Sequence, residues 1–93
     1  MKRVLLRSGA FVRDAKRLGK KDVRLFDALR VALRRLEDDA IQPQLKTHKL
    51  KGDLEGSWEC SLGYDLRIVF ELKQHEGREA ILLQSVGTHN EVY

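Results

Sequence analysis

Apolar side chains recur along this chain with two different periods, and the switch between them falls just past its middle. Residues 2–7 alternate weakly around Val4 and Leu6, which predicts a short first strand. Ser8 stands where a helix N-cap belongs, and Phe11, Ala15 and Leu18 follow at i, i+4 and i+7, so a helix should run from there to Gly19. Asp22 opens a second, longer helix in which Leu25, Phe26, Leu29, Ala32, Leu33 and Leu36 form a broad apolar stripe. Glu37-Asp38-Asp39 ends it with negative charge where the helix dipole favours positive, which predicts fraying or a basic neighbour.

Residues 40–56 show no period and carry Pro43, Gly52 and Gly56, so they read as a loop around the basic cluster Lys46-Thr47-His48-Lys49-Leu50-Lys51. A period of two then takes over. Residues 57–62 place Trp58, Cys60 and Leu62 on one face and Ser57, Glu59 and Ser61 on the other. Residues 66–72 turn Leu66, Ile68, Phe70 and Leu72 inward and Arg67, Val69 and Glu71 outward, and a last strand covers 79–86. Gly63-Tyr64-Asp65 and Gln74-His75-Glu76-Gly77 join the three. The expected fold is α+β in the order β-α-α-β-β-β: two N-terminal helices packed on one face of a mostly antiparallel four-stranded sheet. Glu59, Ser61 and Arg67 would share its other, uncovered face.

Ninety-three residues suit one domain, 1–93, with a single core and no deep cofactor cleft. The net charge of +4, with positive side chains crowded between Lys2 and Arg35, favours a polyanion or an acidic protein as partner. Cys60 is the only cysteine, which excludes an internal disulfide and a cysteine-built zinc site. The chain has neither a glycine-rich nucleotide loop nor carboxylates paired at metal-ligand spacing, so no metal and no cofactor are expected. Val4-Leu5-Leu6 is much shorter than a signal-peptide core or a membrane span, and the expectation is a cytoplasmic protein that does not engage a membrane.

Gly87 lets the chain turn away at the end of the last strand, so that His89 and Tyr93 can project where side chains meet a substrate. Metal-free cleavage of RNA needs a base for the 2′-hydroxyl, an acid for the leaving 5′-oxygen and positive charge on the phosphate. His48 and His89 can serve as acid or base, Asp65 can orient or accept a proton, and Arg67 offers a fork of donors to phosphate oxygens. Lys46, Lys49 and Lys51 could hold flanking phosphates, and Tyr93 could stack on a base. Blander readings exist beside these: solvated histidines, an Arg67 that pairs across strands with Glu59 or Glu71, an Asp65 that only makes a turn. Trp58 and Cys60 are assigned to the core, and His75 to a hairpin without special role.

His48-Lys49-Leu50-Lys51-Gly52, Gly56-Ser57-Trp58-Glu59-Cys60, Asp65-Leu66-Arg67-Ile68-Val69-Phe70 and the ending Gly87-Thr88-His89-Asn90-Glu91-Val92-Tyr93 resemble the RelE/ParE toxins of bacterial type II toxin-antitoxin systems. The branch most similar is that of the YafQ-like mRNA interferases. The resemblance implies a ribosome-dependent endoribonuclease that cuts mRNA in the ribosomal A site, with 16S rRNA contacts. It also implies a cognate antitoxin, and operator DNA reached only through that antitoxin. His48, Asp65 and His89 match catalytic positions, Tyr93 the terminal aromatic, and Arg67 the arginine on the scissile phosphate. Ser61 stands where the YafQ-like pattern has a histidine on the second strand. The alternative within the same fold is a ParE-like inhibitor of DNA gyrase that cuts nothing.

Overall fold

Ser8 governs how the first strand hands over to the first helix. In the computed structural model, which describes residues 3–61 and 65–88, strand β1 (Val4–Arg7) stops at Ser8 and helix α1 (Gly9–Lys21) begins. The Ser8 hydroxyl accepts from the Phe11 N–H at 3.0 Å and donates to the Gln84 carbonyl at 3.1 Å, so one side chain caps the helix and ties it to the sheet. Asp22 does the corresponding work for helix α2 (Val23–Asp38), accepting from the Arg24 N–H at 2.9 Å. At the far end of α2 the acidic run is held rather than frayed: the Asp39 N–H donates to Arg35 O, the Gln42 side chain donates to the same carbonyl, and Glu37 O accepts from Arg3 N.

The sheet has five strands in the order β1-β5-β4-β3-β2, one more than the pattern predicts. The addition is β2 (His48–Lys49), inside the stretch read as a loop. A two-residue edge strand leaves no period in a sequence, because both its residues are exposed and its contribution is main-chain hydrogen bonding. β3 (Trp58–Ser61), β4 (Arg67–His75) and β5 (Arg78–Gly87) form the expected antiparallel set, and β1 joins β5 in parallel. Glu76 and Gly77 close the β4–β5 hairpin with positive φ at both positions (51° and 79°), as a two-residue turn between twisted strands requires.

One face of the sheet receives the helices. Phe11 and Leu18 from α1, Leu29, Ala32 and Leu36 from α2, and Cys60, Ile68, Phe70, Ile81 and Leu83 from the strands form the core. Burial pushes the Cys60 thiol up to about 12, helped by the neighbouring Glu59 charge, so this cysteine is an inert apolar side chain at neutral pH. Trp58 differs from the prediction. It packs on the core with part of its ring and leaves the rest in a groove, because β3 lies next to the edge.

Between Val69 and Phe70 the β4–β5 register slips: Val69 faces Ser85 while Phe70 faces Leu83, which leaves Gln84 as a bulge on β5. The bulge is well used. Gln84 Oε1 accepts from the Ser57 hydroxyl at 2.8 Å, and its carbonyl accepts from Ser8. Beyond it, where β1 has already left the edge of β5, the Val86 N–H donates to Asp14 Oδ2 at 3.2 Å. Helix α1 thus stands in for a missing strand along the last residues of β5.

Candidate functional site

The sheet face away from the helices is not open at its centre, contrary to the sequence expectation. Register aligns His48, Glu59, Val69 and Ser85 across four strands, and Glu59 and Val69 are only 5% and 3% exposed. A carboxylate in such a place needs positive partners, since an unpaired buried charge is strongly unfavourable.

Arg67 provides the charge, and His48 stands beside it. Arg67 enters at the first position of β4, opposite Ser61, and its Nε lies 3.2 Å from Glu59 Oε1. His48 Nε2 lies 4.0 Å from the same oxygen. The other histidine nitrogen, Nδ1, is 3.1 Å from the carbonyl of Lys46, which can only accept. With Nδ1 donating to that carbonyl, Nε2 is the ring nitrogen that faces Glu59 Oε1. Lys46 offers that carbonyl because it turns the chain with φ 50° after a 3-10 turn at Pro43–Leu45, and the neighbouring Thr47 hydroxyl donates to the Ala40 carbonyl.

This arrangement resolves one alternative left open by the sequence. Of the two possible partners for Arg67, it is Glu59 that pairs with it, and the three groups share one oxygen. Sequence reasoning placed Glu59 on this face and among the possible partners of Arg67, but gave it no role in the chemistry. Its signal was present: a glutamate alternating with Trp58 and Cys60 in an apolar strand, on the same face as Arg67 of the next strand.

The remaining expectations divide. Asp65 is exposed in the turn before β4, two residues from Arg67. Lys49 points to the opposite face of β2 from His48, by strand alternation, with its Nζ 5.3 Å from the Trp58 ring centre. Lys46 and Lys51 flank β2. His75 ends β4 near Glu76, far along the strand from Arg67. His89 and Tyr93 lie outside the described residues. Among those described, no group of three or more histidine, cysteine or acidic side chains is placed to hold a metal ion, and no helix is long and apolar enough to cross a membrane.

A helix pair on a five-stranded mixed sheet is the architecture of RelE-type toxins. A family profile described as the bacterial toxin of a type II toxin-antitoxin system, YafQ, matches residues 3–93, and the chain belongs to that family. Comparison with curated proteins by sequence gives no significant match. Among solved structures, a metal-bound toxin from Helicobacter pylori is 30% identical, with 100% of each chain covered and a TM-score of 0.71. A YoeB/ParE toxin from Agrobacterium tumefaciens shares the fold at a TM-score of 0.77 and 17% identity, covering 92% of this chain and 98% of that one. The toxin-antitoxin complex DinJ-YafQ from E. coli matches at 0.72 and 20% identity, over 100% and 99% of the two chains.

Proposed function

We infer that this toxin is a ribosome-dependent endoribonuclease that cuts mRNA in the A site by metal-independent acid and base chemistry in the cytoplasm, restrained by a cognate antitoxin. The observation that carries the reading is the shared oxygen of Glu59. An arginine and a histidine that meet at one carboxylate oxygen form a site for a phosphate and its neighbouring hydroxyl, whereas a surface that only binds protein has no use for it. His48 Nε2 removes the 2′-hydroxyl proton, and the Glu59 carboxylate stabilises the imidazolium that results. The 2′-oxygen attacks the phosphorus, and the bond to the 5′-oxygen breaks, giving a 2′,3′-cyclic phosphate and a 5′-hydroxyl. Arg67 engages Glu59 through Nε, so its terminal amino groups are the donors offered to the phosphate.

His89 is assigned the proton donated to the leaving oxygen, Asp65 a supporting role near Arg67, and Tyr93 stacking on a base, all three from the family pattern. The complex of a related toxin with DinJ supports an antitoxin as partner. Message, ribosome and operator contacts follow from the same family reading. The deciding experiment is induction of the protein followed by mapping of mRNA 5′ ends with and without translation of the message. In-frame breaks confined to translated messages are expected. Intact mRNA accompanied by DNA damage would select a gyrase inhibitor instead. A 2′-deoxy nucleotide 5′ of the scissile bond should abolish cleavage, and toxin treated with EDTA and desalted before it meets magnesium-containing ribosomes should cut at the untreated rate; a loss restored by adding a transition metal back to the toxin would overturn the metal-free scheme.

A further inference from the structure

The edge strand β2 divides two surfaces. His48 sits in register with Glu59 on one side, while Lys49 sits in register with Trp58 on the other. On that second side lies an open groove of about 750 Å³, lined by Lys49, Leu50, Lys51, Gly56, Ser57 and Trp58, a volume typical of sites for small organic groups. Gly52 and Gly56 shape it with φ of 71° and 96°, and a side chain built at either would meet nothing within 4 Å, so turn geometry and not packing accounts for these glycines. The space they leave stays accessible.

The lining chemistry selects the occupant. A half-buried indole offers a flat face, Lys49 already places its ammonium over that ring, and Lys51 stands exposed beside it. An aromatic ring flanked by two mobile cations is what an unpaired nucleotide requires, with a base to stack and a phosphate to neutralise. Glu55, the acid in the lining, can accept from a base amino group. We propose that this groove is a subsite for one unpaired ribonucleotide, its base against Trp58 and its phosphate held by Lys49 and Lys51. The proposal rests on RNA being the toxin's target. An RNA strand crossing the two-residue edge strand would present one nucleotide to Trp58 and another to His48 and Arg67. The nucleotide can come from the message or from ribosomal RNA.

Trp58 is the only tryptophan, so its emission reports this groove alone. The test titrates the full chain with a short unstructured 2′-O-methyl oligoribonucleotide, which cannot be cut, and follows tryptophan emission together with the anisotropy of a dye on the RNA. Emission should be quenched with the same midpoint as the anisotropy rise, and duplex RNA should not quench it. Trp58→Leu should weaken binding roughly 5- to 150-fold and Trp58→Phe much less. Because Trp58 also packs on the core, Lys49→Ala with Lys51→Ala provides a variant that leaves the core alone; with one phosphate no longer neutralised, it should lower the slope of log affinity against log salt by about 0.7. Binding seen by anisotropy with silent emission and unaltered variants would overturn the subsite, as would no binding at all. Cleavage of translated message by the wild type is scored separately: cutting with a silent Trp58 removes only the subsite, and a responsive Trp58 without cutting removes only the nuclease reading. Weaker co-sedimentation of Trp58→Leu with message-free ribosomes assigns the nucleotide to ribosomal RNA. A changed codon distribution of cuts with unchanged co-sedimentation assigns it to the message, and no change in either overturns the proposal.

Discussion

Oε1 of Glu59 faces both Arg67 and His48, and this makes the arginine harder to probe than a surface residue would be. Removing Arg67 takes a transition-state donor from the phosphate and also strands a nearly buried carboxylate. Arg67→Ala should therefore lower the cleavage rate roughly 100-fold or more and destabilise the fold by about 1–3 kcal/mol. The two effects separate in a double variant. Glu59→Gln added to Arg67→Ala should recover most of the stability in urea unfolding and none of the single-turnover rate on programmed ribosomes; recovery of both would make Arg67 structural. Glu59→Gln alone keeps size and hydrogen bonding but loses the charge that positions Arg67 and His48, and its rate should fall on the order of 100-fold. Cys60 gives a pH test of a different kind. Its thiol is raised from the ordinary 9.0 to about 12, so the folded chain keeps a proton that the unfolded chain releases. The stability linked to this group is fully present below pH 9 and is lost as pH rises toward 12. A thiol reagent at pH 8 should leave the folded chain unlabelled and label it completely in denaturant.

At the scale of elements, the joints carry more than their length suggests. Ser8 joins α1 to the Gln84 bulge, and Gln84 in turn holds Ser57 beside β3, so three elements meet at two side chains. Ser8→Ala removes both of its bonds and should cost about 1–2 kcal/mol. For a domain of this size that is a fall in Tm of several degrees, on the order of 4–8 °C per kcal/mol, measurable by circular dichroism. Gly77→Ala should also destabilise, by about 1 kcal/mol, because φ of 79° is unfavourable for any residue with a Cβ while the space around it is open. Mutation to Asn, which tolerates the left-handed region better, should cost less. Equal losses for Ala and Asn would mean that contacts, not backbone conformation, decide at this turn.

For the whole molecule, the charge of +4 belongs to a toxin whose partners on the proposed reading are RNA and an antitoxin. A basic surface speeds encounter with an acidic partner by long-range attraction, which salt screens within about 10 Å at 0.1 M. Association with the antitoxin should therefore slow markedly as salt rises, while dissociation, governed by short-range contacts, should change little. Stopped-flow rates at low and high salt check this, and an association rate that ignores salt would remove charge as the driver.

Helices and long strands were legible because burial repeats along them: Phe11 and Leu18 at helical spacing, Ile68 and Phe70 at strand spacing, with Ser8 and Asp22 marking the helix starts. Local chemistry suffices for such features, since each position's period is set by the element it belongs to. His48 and Arg67 were legible as reactive types, but nothing in one dimension could choose between Glu59 and Glu71 as partner or reveal β2. Those depend on register, and register is decided by which strands lie side by side and where the Gln84 bulge shifts them. Sequence by itself determined the helices, the long strands, most of the core and the family of this toxin. Only the tertiary structure decided that a buried carboxylate would bring His48 and Arg67 to a single oxygen, because a charge removed from water must be answered by the arginine that a neighbouring strand brings within reach.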